Sequence, residues 1–534
     1  MKKDDEQYLN SAQLSTLLKQ GAMSRRNVLK MLSAGAVMST GIIGFPDLAL
    51  ADSVPVKGGK MRAAMSNASA TDTLDPAKAN NSADYARQFL FYNALMEIDD
   101  TLVATPALAS SIHSDDGITW QVKLRQGVTF HNGKNLVADD VVWSLLRHQD
   151  PAVASNVFSL AQQFKSITAV NAQEVAIVLS GANFDLPLML ALPAFLIIPA
   201  KTTDFTKGIG TGPFTCQTFV PGMHTIGVRN PNYWKPGLPH LDEIELLGVT
   251  DQAARVNGLL SGDLHICSAI NPGYAKQLEA SGGRCKILES KSGMYTDLII
   301  RTDIAPGNNA DFVMAMKYLQ PREMMVKTAL QGYGTVANDT PVPPWHPLYN
   351  AELKPRPIDL DKARFHLKKA GMQGAKVEVI TTTTLDGAIE GGLMMQNIAQ
   401  QAGLNINLRR VPYEGYWSAH WMKDPIGYGS INPRPTLDLS FSQFYLSNSA
   451  NNESKWHNPQ FDQLVVAARG VQDPTKRKQM YDDMQKLIYD DCGTLIPMFV
   501  SSLDGYSNKV QGLKSWPAGM MMGYRFSENV WLSA

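Results

Sequence analysis

A catalytic chain must bring a nucleophile, an acid–base pair or a set of metal ligands together, and such sets often show as short sequence spacings. None of the usual spacings is present. The ten His are scattered, His224 and His240 being the closest pair, so no helix turn carries two zinc-ligating imidazoles. There is no Gly-x-Ser-x-Gly elbow and no Walker loop. Gly208-Ile209-Gly210-Thr211-Gly212-Pro213 reads as a sharp turn rather than a dinucleotide loop, because Pro213 stands where a helix would have to open. Adjacent carboxylates, Asp115-Asp116 and Asp139-Asp140, diverge as sequence neighbours and read as solvated or helix-capping groups. No catalytic residue, metal ligand or cofactor is assigned. The remaining side chains suit recognition. Tyr413, Tyr416, Trp417 and Trp421 form a dense aromatic group able to stack on a solute or to fill a core, and Arg434 and Asp438 follow in a Pro-rich turn.

The elements that must position these residues follow an α/β rhythm. Thr119–Leu124 alternates as a half-buried strand, and 174–179, 243–249 and 377–380 read as further strands. Ala138–Leu146 starts with acidic residues and continues as an apolar stripe, which predicts a helix. Asp359 to Gly371 reads as a helix closed by glycine, and 476–489 as a charged amphipathic helix ahead of the apolar segment 494–500. Asn132-Gly133 predicts a hairpin turn of the primed type.

At 534 residues the chain has room for two to four domains of about 150 residues. Its 49 basic and 49 acidic residues exclude a general electrostatic grip on nucleic acid or anionic lipid. Four Cys are too few for a disulfide scaffold and leave room for one or two bridges.

The first fifty residues read as an export signal. Ser24-Arg25-Arg26-Asn27-Val28-Leu29-Lys30 precedes a weakly apolar stretch from Met31 to Phe45, and Ala49-Leu50-Ala51 supplies a small-x-small cleavage site. The paired arginines resemble a twin-arginine signal, with Val28 where that pattern usually has Phe. Removal of residues 1–51 leaves 483 residues with a formal charge of −2. No later run approaches a membrane span; Leu186 to Ala200 is broken by Pro187, Pro193 and Pro199.

A larger pattern then emerges. Thr105-Pro106-Ala107-Leu108-Ala109, the block Asp115 to Gly133 and Ala138-Asp139-Asp140-Val141 resemble the signature of the family 5 extracellular solute-binding proteins, the peptide- and nickel-binding receptors of ABC importers. Gly210-Thr211-Gly212-Pro213-Phe214, Arg229-Asn230-Pro231-Asn232-Tyr233-Trp234, Gly258 to Asp263 and Asn458-Pro459-Gln460-Phe461-Asp462 continue the resemblance in family order, so that it covers essentially the whole mature chain. It implies an α/β, periplasmic binding protein-like fold: two α/β lobes joined by two hinge strands, with an extra domain on the first lobe. By the family pattern the first lobe takes residues 57–95, 205–295 and 500–534, the added domain 96–204 and the second lobe 296–499. The implied activity is not enzymatic. Closure of the lobes on a solute would present a closed form to an inner-membrane ABC permease. A monomeric periplasmic protein with no nucleic-acid partner and no stable membrane insertion is expected.

The resemblance also nominates ligand contacts. Peptide-binding members place an Asp where the peptide ammonium is held, and Asp438 is the matching acid, with Leu439 where Pro usually follows. Arg434 is either a second ligand group, holding a carboxylate or phosphate, or a brace for its own loop. Trp417 and Tyr416 are the aromatic candidates. Tyr295 and Arg301 flank the implied hinge, Arg301 standing where many relatives have Asn and so offering a second positive charge to the cleft. Met520-Met521-Met522 reads as core filling. Cys267 and Cys285, at the ends of strands that could be neighbours, are candidates for a bridge; Cys216 and Cys492 read as buried. Short peptides are the expected ligands, with an opine-like or sugar-derived acid, a nickel chelate or haem as alternatives.

Overall fold

The computed structural model describes residues 54–533 apart from 384, 435 and 518, so the expected signal peptide, 1–51, lies outside the described residues. Two large sheets organise the rest. In the first lobe a seven-stranded sheet centres on β1 (Lys60–Met65), which pairs in parallel with β10 (Glu243–Gly248) and β11 (Ile266–Cys267). Antiparallel β9 (His224–Arg229) and β8 (Phe214–Val220) extend one edge, and β19 (Ser502–Ser507) and β12 (Cys285–Ser290) the other. The second lobe holds a six-stranded sheet ordered β14 (Gly334–Val336), β18 (Thr494–Val500), β13 (Tyr295–Ile300), β17 (Ile426–Ile431), β15 (Lys376–Thr381), β16 (Asn405–Arg410). The added domain is a four-stranded antiparallel sheet of β4 (Ala109–His113), β5 (Thr119–Leu124), β7 (Glu174–Leu179) and β6 (Phe164–Asn171). Short hairpins β2–β3 (Met96–Ile98, Ala104–Pro106) and β20–β21 (Val510–Gln511, Trp531–Leu532) complete the strands.

Local pattern accounts for these elements. In β5, Trp120, Val122 and Leu124 are buried while Thr119, Gln121 and Lys123 are exposed, the period-two signature of a sheet with one wet face. Every residue of β13 and β18 is buried, because packed side chains cover both faces of the central strands. The helix Ala138–Leu146 is closed at its start by Asp140, whose carboxylate accepts the Val137 N–H at 3.0 Å. The chain passes between the two large sheets twice, through 291–294 and through Ser501, and these crossings are the two hinge connections.

Four local expectations are corrected. The turn at Asn132-Gly133 is not primed: Gly133 has φ 82°, but Asn132 is outside the positive-φ region that either primed type demands of the first central residue. Gly210 and Gly212 are required less for turning than for close approach. A Cβ on Gly212 would lie 2.4 Å from the Phe91 carbonyl carbon, where the loop lies against the end of the helix Ser82–Phe91. Cys267 and Cys285 are both free. Strand β19 runs between β11 and β12 and pairs Cys267 with Gly505 and Cys285 with Ser507, so two strand spacings, about 10 Å, separate the cysteines. A disulfide needs Cα atoms within about 7 Å. Cys492 is buried as expected, whereas Cys216 is only half-buried.

Candidate functional site

In open α/β sheets, solutes bind beyond the carboxyl ends of the strands, where the chain leaves in loops free to carry chemistry. In the second lobe β15 and β16 are parallel and β17 joins β15 in the same sense, so all three end at one edge. Tyr295, the first residue after the hinge crossing, pairs with Ile431 at that edge. From Ile431 the chain runs directly into Asn432-Pro433-Arg434.

Arg434 is half-buried and its guanidinium is held in place. Nε donates to Gln443 Oε1 at 2.6 Å, Nη1 donates to the Asn432 carbonyl at 3.0 Å, and the group lies 4.8 Å from the Phe444 ring centre. Nη2 has no hydrogen-bond partner among the described residues. Burial pulls the pKa of Arg434 down, with the Tyr295 and Tyr85 phenols opposing, yet a guanidinium stays charged at neutral pH. Tyr85 belongs to the first lobe, on the helix that Asn81 caps by accepting the Asp84 N–H. Its phenol is pushed up by burial and by Asp84, with the charge of Arg434 opposing. Beside it stands Tyr524, ring centres 5.5 Å apart. Beneath Arg434 the fully buried Tyr295 shares a hydroxyl contact of 3.2 Å with Tyr445.

Behind Tyr295 lies a pair of carboxyl groups. Asp297 of β13 and Glu453 are both buried, and a Cβ on Gly429 would meet Asp297 Oδ1 at 2.8 Å and Glu453 Oε1 at 2.9 Å. Trp421 Nε1 donates to Glu453 Oε1 at 2.7 Å, whereas neither oxygen of Asp297 has a hydrogen-bond donor among the described residues. Burial raises Asp297 well above the usual carboxylate range, with Glu453 adding to the effect, and burial pushes Glu453 up to about 7. Two like charges so placed repel, which disfavours ionising both.

The description of the bacterial extracellular solute-binding proteins, family 5 (middle region), matches residues 103–453. The chain belongs to that family. It is 29% identical over 480 residues to the glutathione-binding protein GsiB of Escherichia coli K12, covering 83% of this chain and 90% of that one. Among solved structures it resembles the periplasmic binding protein DppA of Helicobacter pylori in complex with the peptide STSA (TM-score 0.73, 22% identity, 90% and 99% of the two chains). It also resembles AgaA of A. tumefaciens R10 in complex with agropinic acid (TM-score 0.71, 21% identity, 89% and 99%). The two-lobed α/β fold of this family 5 solute-binding protein is therefore common to receptors with chemically different solutes.

Within that frame the residues singled out from sequence separate. Arg434 and Tyr295 come together at the carboxyl edge of the second lobe. Arg301 does not: it follows the far end of β13, about 20 Å along the strand from Tyr295, and is tied to Asp303 at 2.6 Å and to the Lys423 carbonyl at 3.1 Å. Tyr416 is buried and donates to the Tyr428 carbonyl, which makes it a core residue of the second lobe. Trp417 is 38% exposed and packs edge-on against Tyr416 and Trp421 of its own segment. Asp438, in the first turn of the helix Leu437–Phe444, is occupied by Arg469, whose Nε donates to it at 2.7 Å. Its charge is already met inside the protein. Met521 and Met522 fill the first-lobe core, as expected. Among the described residues no group of three or more His, Cys, Asp or Glu is placed to hold a metal, and no helix is long and apolar enough to cross a membrane.

Sequence reasoning missed Tyr85 and Tyr524, which carry no motif, and the acid pair. A signal for the pair did exist. Asp297 interrupts an otherwise apolar strand, Tyr-Thr-Asp-Leu-Ile-Ile, and a carboxylate inside a buried strand calls for an explanation.

Proposed function

We propose that this solute-binding protein is the periplasmic receptor of an ABC importer, that its ligand is a short peptide or a related small acid enclosed between the lobes, and that Arg434 takes a carboxylate of that ligand. The observation that carries the reading is the guanidinium itself. It sits at the carboxyl edge of the second-lobe sheet, oriented by Gln443 and Phe444, and its Nη2, without a partner among the described residues, is left for an external acceptor. Asp438, the ammonium-binding alternative, is neutralised by Arg469. Glutathione, the ligand named for GsiB, is a peptide with two free carboxylates, and agropinic acid is an acid, so an anion-holding group in this fold fits both chemistries. A charge-assisted bond of this kind contributes about 1.5–3 kcal/mol, or roughly 10- to 100-fold in affinity.

The test is calorimetry with glutathione and a panel of di- to pentapeptides, each supplied as free acid and as C-terminal amide, on the wild type, Arg434→Gln and Asp438→Asn. Preference for the free acid that disappears in Arg434→Gln, with Asp438→Asn binding as wild type, supports the reading. Equal binding of acid and amide refutes it.

A further inference from the structure

The residues around Asp438 lead to a different role. The added domain is fastened to the first lobe by Arg147–Asp75 at 2.7 Å and Lys235–Glu97 at 2.8 Å. The same domain also reaches the second lobe, at a place separate from the hinge crossings. The Phe184 N–H donates to the Arg469 carbonyl at 3.0 Å, and Arg477 Nη2 donates to Asp185 Oδ2 at 2.6 Å. Asp185 and Arg477 are mostly buried, with 8% and 16% of their side-chain surfaces exposed. Arg469 is in turn fixed by Asp438 and by Ser442, to whose hydroxyl its Nη2 donates at 2.7 Å.

We infer that Asp185–Arg477 and Phe184–Arg469 form a clasp that stabilises the closed arrangement of the lobes without touching the solute. The inference rests on the reading of lobes that close about their hinge. Its physical basis is that these contacts join two bodies linked through 291–294 and Ser501, so hinge opening must break them. Opening also restores hydration to groups that closure strips. Arg477 Nε is buried with no partner among the described residues, a cost that closure must offset. A contact made only in the closed form raises the closed fraction of the empty protein, and apparent affinity rises with that fraction for any solute.

Small-angle X-ray scattering of the solute-free mature protein tests this without knowledge of the ligand, using Asp185→Asn, Arg477→Gln, their double variant and the charge-conserving Arg477→Lys. The expected result is a larger radius of gyration in each charge-removing variant, reflecting a roughly 3- to 30-fold shift toward open, with the double variant no more open than either single one and Arg477→Lys closer to wild type. Superimposable scattering of wild type, Asp185→Asn and Arg477→Gln would overturn the clasp. A failed acid-versus-amide preference would instead overturn the ligand reading and leave this result standing.

Discussion

Replacing Glu453 by Gln should make the protein more stable at alkaline pH while changing little at acid pH. The carboxyl group is held by burial at about 7 rather than its ordinary 4.5, and Asp297 beside it is raised as well. A carboxyl group raised on folding contributes stability that is fully present below its unfolded pKa and is lost as pH rises through the folded value. The window is therefore pH 4.5 to somewhat above 7. At about 1.4 kcal/mol per pH unit, the loss attributable to Glu453 is about 3 kcal/mol. Gln keeps an oxygen for the Trp421 N–H at nearly unchanged size, so the substitution removes the titration while preserving that hydrogen bond. Urea unfolding followed by tryptophan fluorescence at pH 4.5, 6, 7 and 8 measures it, with Trp421 as a local reporter. The stability difference between variant and wild type should grow by about 3 kcal/mol across that range. Parallel pH profiles would refute the reasoning, because they would mean that the pair does not exchange a proton on unfolding.

Asp504, fully buried and pushed up to about 7, accepts the Met521 N–H at 2.6 Å; Asp504→Asn keeps the acceptor and should stabilise the protein above pH 7, measured by the same titration. Gly212→Ala should destabilise by about 3 kcal/mol in thermal melts, since the new methyl group would meet the Phe91 and Leu90 carbonyl groups within 2.5 Å. Thiol titration of the unreduced, denatured protein should return four free thiols, and a count of two would mean that a disulfide bridges strands that are not neighbours. Arg301→Ala should leave solute affinity unchanged in calorimetry, because its guanidinium is spent on Asp303 and Lys423 far from Tyr295.

Much of the fold was legible in local sequence. The alternation in Thr119–Leu124, the acidic start of Ala138–Leu146 and the Asp359 cap each depend on residues within one or two turns, so composition and spacing were enough to predict β5 and both helices. The order of family motifs carried the architecture further, to two lobes and an added domain. Other features were decided by partners far away in sequence. Cys267 and Cys285 read as candidates for neighbours because nothing near them reveals that residues 502–507 return to lie between their strands. Asp438 and Arg434 lie four positions apart, and the sequence nominates Asp438 ahead of Arg434; the order is reversed by Arg469, 31 residues on, which neutralises one and not the other. Asp297 finds its acidic neighbour only when the segment carrying Glu453 folds back on β13. Secondary structure follows from short-range periodicity and capping, which a sequence displays directly. Whether a charge is free, paired or protonated depends on long-range packing that removes water and supplies a counter-charge, and tertiary structure alone determines that.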